Sequence, residues 1–198
     1  MIWSGIDSWR AEVASIEWVS GGVRASGTQV GVEPVPYRLD YKLEAAGGSF
    51  ITESLEVEVT GQDWFRRLYL EHDGEGGWAC EPRAEGSVDL YPAGGDVEAV
   101  RGALDCDLGL SPMTNLMPMR RHNLHESPGE VDFLMAWVSV PSLGLHPSRQ
   151  RYEHVRKDDA GSVVRYVGEH RDYVGELVVD DDGLVILYPE LAHRVGPP

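Results

Sequence analysis

PYRLDYKLEA, residues 36–45, is the stretch that decides the fold. Tyr37, Leu39, Tyr41 and Leu43 alternate with Arg38, Asp40, Lys42 and Glu44. A period of two marks an extended chain, because successive side chains of a strand point to opposite faces. One face is apolar and the other charged, so this strand belongs to a sheet with a dry side and a wet side. Such sheets are antiparallel. The pattern spreads outward from there. Upstream, ASIEWVS and VRASGTQVGV flank Gly21-Gly22 and read as a hairpin with a two-glycine turn. Residues 1–10 read as a short cover or a frayed start, and Trp3 and Trp9 suggest that they pack against something. Downstream, Gly47-Gly48 leads into FITESLEVEVT, where Leu55, Val57 and Val59 oppose Glu56 and Glu58. WFRRLYLEH follows a turn at Gly61–Asp63, and GWACE follows the glycines at 74, 76 and 77. Pro82, Pro92, Gly94 and Gly95 predict a loop around a short edge strand over residues 82–98. VDFLMAWVSV reads as a buried strand ended by Pro141, by its length and its Val and Trp content. QRYEHVRK, SVVRYVG and YVGELVVDDDGLVILYP complete the series, the last as a hairpin around Asp182-Gly183. Strands at such spacing, with no long helical pattern, predict one all-β domain over residues 1–198: a barrel, sandwich or roll.

Composition narrows the partners. The 198 residues are 42% apolar, enough for a core, and carry 33 acidic against 17 basic residues, a net charge of −16. That field repels phosphate, which argues against nucleic acid and against anionic membrane surfaces. No apolar run approaches the ~20 residues of a membrane span, so no stable membrane insertion is expected. The opening MIWSGIDSWRAEV lacks a basic start and a long apolar core, which leads us to expect no secretory leader and a cytoplasmic location. Cys80 and Cys106 are far apart and not in CxxC spacing, as reduced core thiols would be. No cofactor and no metal is called for.

Residues 101–125, RGALDCDLGLSPMTNLMPMRRHNLH, bring acidic residues, turn formers, methionines and paired arginines closest together. The stretch begins as a strand, with Leu104, Cys106 and Leu108 on one face and Asp105 and Asp107 on the other. Gly109 breaks it, and Ser111-Pro112 reads as a helix start with Ser111 as the N-cap. Pro118 restricts Met117 to extended geometry. Only about a turn of helix is therefore expected, with a strand leaving through Met119-Arg120-Arg121.

SPMTNLMPMRRHNL (111–124) also resembles the signature of a bacterial glycolipid-binding family. VPYRLDYKL (35–43), WVSVPSL…QRY (137–152) and DDGLVILYPELAHRV (181–195) resemble that family in the same order. The resemblance implies an antiparallel spiral β-roll, or incomplete barrel, of about a dozen strands with at most short helices. Such a roll, the resemblance implies, is like the fold of periplasmic lipid and lipoprotein carriers. Fold alone does not establish activity.

A curved sheet that leaves its interior unfilled offers a concave apolar pocket. Met117 and Met119 suit such a surface, and the family layout puts Trp137, Tyr152 and Tyr188 beside it. On a strand Met117, Met119 and Arg121 share the inward face. Arg121, or Arg120, then clamps a phosphate, carboxylate or sugar head group, or else forms a structural salt bridge to Asp105 or Asp107. Asn115 donates to a ligand or ties down its turn. His122 and His125 diverge on a strand, and Asp180–Gly183 lacks calcium-loop spacing. The leading expectation is a non-enzymatic binder of an amphipathic lipid or glycolipid. Two readings compete with it. One is a small-molecule enzyme using Asp105 or Asp107 as acid or base. The other is an interaction or scaffold domain that buries its methionine and tryptophan surface in a homodimer.

Overall fold

The computed structural model describes residues 1–159, 161–169 and 172–196. The alternation of residues 36–45 forms a strand, β4 (Tyr37–Ala45), with Tyr37, Leu39, Tyr41 and Leu43 buried. Before it come β1 (Ile2–Gly5), β2 (Arg10–Val19) and β3 (Gly22–Gly31). After it come β5 (Ser54–Thr60), β6 (Trp64–His72), β7 (Trp78–Gly86) and β8 (Asp105–Leu108). The second half supplies β9 (Glu130–Val138), β10 (Leu145–Asp158), β11 (Gly161–Gly168), β12 (Tyr173–Val179), β13 (Val185–Tyr188) and β14 (Ala192–Arg194). All fourteen lie in one sheet, in the order β7-β6-β5-β4-β3-β2-β1-β14-β13-β12-β11-β10-β9-β8. Two meanders of neighbouring strands thus meet at a single seam, where Trp3 pairs with Arg194 and Gly5 with Ala192. The sheet curls without closing, an all-β incomplete barrel with one short α-helix among the described residues.

One pairing departs from the antiparallel expectation. β8 runs parallel to β9, Asp105 opposite Met135 and Leu108 opposite Val138. A parallel partner needs a long return path, and residues 109–129 are that path. At the free edge of β8, side chains replace a neighbouring strand. Thr52 Oγ1 accepts from Cys106 N–H (3.3 Å) and Thr114 Oγ1 from Leu108 N–H (3.2 Å). The predicted loop after Pro82 begins later than expected, since β7 runs on to Gly86. It then bridges the gap, with Gly94 donating to Leu143 O (2.8 Å) and accepting from Leu145 N–H (3.0 Å). Cys80 and Cys106 are free thiols.

The interior is filled. After β8 the chain reverses at Gly109-Leu110 and returns inside the sheet as a 3-10 turn (Pro112–Asn115) and then α1 (Leu116–Arg121). Every residue from Ser111 to Met119 is buried. The expected strand at 119–121 is therefore helix, and Met117 is not extended. Pro118 falls in the first turn of α1, where its missing N–H has no intrahelical partner to lose. The expected inward row of Met117, Met119 and Arg121 dissolves with it. On a helix Met117 and Arg121 share a side, and Met119 lies off it. The free concave pocket is likewise corrected, because Met113, Leu116, Met117, Met119 and Tyr152 pack into the core cluster there. Trp3 is buried as cover and its indole donates to Val185 O (2.8 Å), whereas Trp9 is exposed.

Candidate functional site

The plug of residues 111–121 is anchored by three buried carboxylates. Arg121 pairs with Asp105 through both terminal nitrogens, one of them 2.9 Å from Oδ1. Burial raises the Asp105 carboxyl above its ordinary value and the guanidinium pulls it back. Asp107 accepts from Thr114 Oγ1 (3.0 Å) and from Gln150 Nε2 (2.6 Å). Asn115 Nδ2 donates to Tyr152 Oη (2.8 Å), which donates to Gln150 Oε1 (3.1 Å). At the other end Ser111 does not cap its helix. Its hydroxyl donates instead to Glu12 Oε1 (2.7 Å), as does Tyr41 Oη (2.8 Å). Tyr37 Oη reaches Gln29 Oε1 (2.6 Å), which completes this group on β2, β3 and β4.

Glu12 is 2% exposed and, among the described residues, has no salt-bridge partner within 4.0 Å. Burial pushes its carboxyl up despite its hydroxyl donors. The same burial pushes the Tyr37 phenol up to about 12. Gly31 and Gly27 make room for these rings, since a Cβ at either would lie 2.6 or 2.5 Å from Tyr37 or Tyr41. Sequence reading missed Glu12 because β2 inverts the usual pattern, burying Glu12 and exposing Val13.

The residues picked from sequence separate into groups. Arg121, Asn115, Met117, Met119 and Tyr152 are parts of the plug and the wall it touches. Arg120 lies over the rings of Trp18 (5.2 Å) and Phe50 (5.3 Å) and contacts His125 Nε2 (3.1 Å). Trp137 stands beside His146, 5.6 Å between ring centroids. His122 packs on Phe133 while His125 is buried against Arg120, so the two do not converge. Asp180 caps the β12–β13 turn by accepting from Asp182 and Leu184 N–H, as a hairpin turn requires. No group of three or more metal-ligating side chains occurs among the described residues.

Tyr188 is different, because it lines an opening. With Asp7, Tyr173, Pro189, Glu190 and Leu191 it bounds a depression of about 210 Å³ at the end of the roll where β1–β2 and β13–β14 turn. The rings of Tyr173 and Tyr188 are 5.8 Å apart and inclined at 42°, and Tyr166 backs them at 5.6 Å from Tyr188. Exposed Ile6, Trp9, Val174 and Leu187 are sequence neighbours of the lining residues. Two of the wider depressions are less suited to a ligand. One, of about 500 Å³, is floored by His72, whose ring nitrogens face Gly74 and Gly76 N–H, while its Arg101 is tied to Glu98. Beside the other, of about 550 Å³, the Arg66 guanidinium is taken up by the carbonyls of Leu90, Tyr91 and Ser142.

An unclosed β-roll plugged by its own chain, with an aromatic depression at one end, defines the class as an all-β incomplete barrel. The chain belongs to the family described as "Putative glycolipid-binding", whose sequence profile matches residues 1–194. A solved structure of similar fold is that of a DUF1089 family protein from Pseudomonas aeruginosa. It is 26% identical, with a TM-score of 0.70, over 93% of this chain and 92% of that one. No curated protein matches the sequence. No helix is long and apolar enough to cross a membrane.

Proposed function

We propose that the protein binds an amphipathic lipid or glycolipid, with the polar head in the Tyr173–Tyr188 depression. The observation that carries this reading is an open hollow rimmed by Asp7 and Glu190 and faced by the half-buried Tyr173 ring, with the buried Tyr188 ring packed against it. Aromatic faces suit the C–H face of a sugar ring, and carboxylates accept from its hydroxyls. The family's description points the same way. Because residues 111–121 occupy the interior, the acyl part lies outside, along exposed Ile6 and Trp9 on the segment that carries Asp7. Burying a dozen methylenes gives roughly 10 kcal/mol gross at ~0.8 kcal/mol each. Association costs roughly 4–15 kcal/mol, so the head group decides whether binding is useful. In this reading Arg121, Asn115, Met117, Met119 and Tyr152 keep the plug rigid inside the roll, and Arg120 and Trp137 stand apart from the hollow. Native mass spectrometry of protein purified from its own host is expected to show a lipid-sized adduct, lost in Tyr173→Ala. An adduct retained at full occupancy in that variant would move the site elsewhere.

A further inference from the structure

Buried arginines brace two loops at one end of the roll, and each loop carries an exposed aromatic side chain. Arg10, 5% exposed, gives Nη2 to Leu191 O (2.7 Å) and Asp7 Oδ1 (3.3 Å), and Nη1 to Ser8 Oγ (3.3 Å). Residues 6–9 are fixed in this way with Trp9 65% exposed and Ile6 exposed beside it. Arg66, 6% exposed, gives Nη1 to the carbonyls of Tyr91 and Ser142 and Nη2 to Leu90 O (3.3 Å). Tyr91 stands 85% exposed on the loop so held. Both loops belong to one rim. Arg10 pairs with Gly31, which brings exposed Val32 next to the loop of Trp9. Pro34, in the same β3–β4 connection, lines one depression with Tyr91, Pro92 and Val140. At the opposite end of β2, Trp18 carries the Arg120 guanidinium over its ring. Large apolar side chains on braced backbone do not fold back onto the core, so this rim stays open until something covers it.

We propose that the rim formed by Ile6, Trp9, Val32 and Tyr91 docks on the surface of a lipid bilayer whose head groups carry no net charge. The inference rests on the protein being a lipid or glycolipid binder. Trp and Tyr settle at the boundary between head groups and acyl chains, since each joins an apolar body to one polar atom. Segments 6–9, 32–36, 87–93 and 139–144 contain Asp7, Glu33 and Asp89 but no Lys or Arg. Basic side chains draw peripheral proteins to anionic leaflets, and these segments have none to offer. The net charge of −16 opposes such a leaflet further. Zwitterionic and neutral heads are what this rim fits. Asp7 also bounds the hollow beside Tyr173 and Tyr188. Docking by this rim therefore sets the hollow at the membrane, and a ligand passes between them without its acyl chain crossing water.

The test is flotation of the intact chain with two sets of vesicles at low ionic strength, one of phosphatidylcholine and one with an equal share of phosphatidylglycerol. The chain is expected to float with phosphatidylcholine, its tryptophan emission moving to the blue, and phosphatidylglycerol should weaken the association. Trp9→Ser and Tyr91→Ser should each weaken it about tenfold, while Trp18→Ser leaves it unchanged. Both rim substitutions spare the arginine braces, so their thermal unfolding should match the parent. Tyr91 does not line the hollow, and Tyr91→Ser should keep any lipid-sized adduct seen by native mass spectrometry. An adduct without vesicle association overturns the docking and leaves the ligand reading standing. Vesicle association without an adduct, still lost in both rim variants, supports the docking and overturns the ligand reading. Association that neither rim variant weakens, or that phosphatidylglycerol strengthens, overturns the proposal. So does a dimer by light scattering that Trp9→Ser dissociates while vesicles stay unbound, which gives the rim to a second copy of the chain.

Discussion

Glu12 and Arg121 grip opposite ends of one buried segment, and their removal has opposite consequences. Arg121→Ala leaves the Asp105 carboxyl buried without its guanidinium, and breaking a buried pair in this way costs about 3–5 kcal/mol. Urea denaturation is expected to show that loss. Glu12 is an acid whose folded-state pKa lies above its ordinary value near 4.5. The folded state then binds more protons than the unfolded one, so this group's contribution falls as pH rises from about 4.5 through the folded value. Glu12→Gln should therefore gain stability relative to the parent as pH increases, and a difference curve that stays flat from pH 4 to 8 would refute the assignment. Asp40, Glu56 and Asp132 act in the other sense, each held low with an arginine among the causes, and the difference curve cancels them. Glu190 has φ of 65°, and Glu190→Gly removes a left-handed strain of about 1–2 kcal/mol, partly offset by the entropy of glycine. Thermal unfolding should rise by roughly 2–4 °C, so that Glu190 proves costly to the fold it belongs to.

At the scale of elements, period-two alternation made the strands legible, because each has one wet face. β4, β5 and the β2–β3 and β12–β13 hairpins lie where their patterns put them. The plug was illegible for the same reason reversed. Helix α1 has only six residues, and its first four are buried, so no polar stripe betrays its period. Pro118 then argues for extension unless one knows that it sits in the first turn. Of the residues around the hollow, Tyr188 and Glu190 share one turn, but Tyr173 and Asp7 come from separate segments that only the rolled sheet brings beside it. Two expectations follow for the plug. Met117→Ala removes a wholly buried side chain and should cost about 2–4 kcal/mol by denaturation, more if the hole fails to collapse. Thr114→Val deletes the hydroxyl shared by Asp107 and Leu108 N–H, and about 1–3 kcal/mol should go with it.

For the whole molecule, charge and topology set the terms. With 33 acidic residues against 17 basic, encounter with any cationic partner weakens as salt screens the field beyond about 10 Å at 0.1 M. A salt-independent on-rate for a cationic protein partner would contradict that. The topology bears on how the chain assembles. Strands β2 to β7 can zip up one after another as they are made, but β1 and β14 join residues nearly two hundred positions apart. Such a closure is slow, since loop entropy is spent before any contact rewards it. A nascent chain halted before Ala192 would thus hold two half-cylinders with an unzipped seam, β1 offering its bare backbone to any passing strand. The last three-residue strand acts as the clasp, and its late arrival is the moment at which a growing copy is most exposed to pairing with its neighbour.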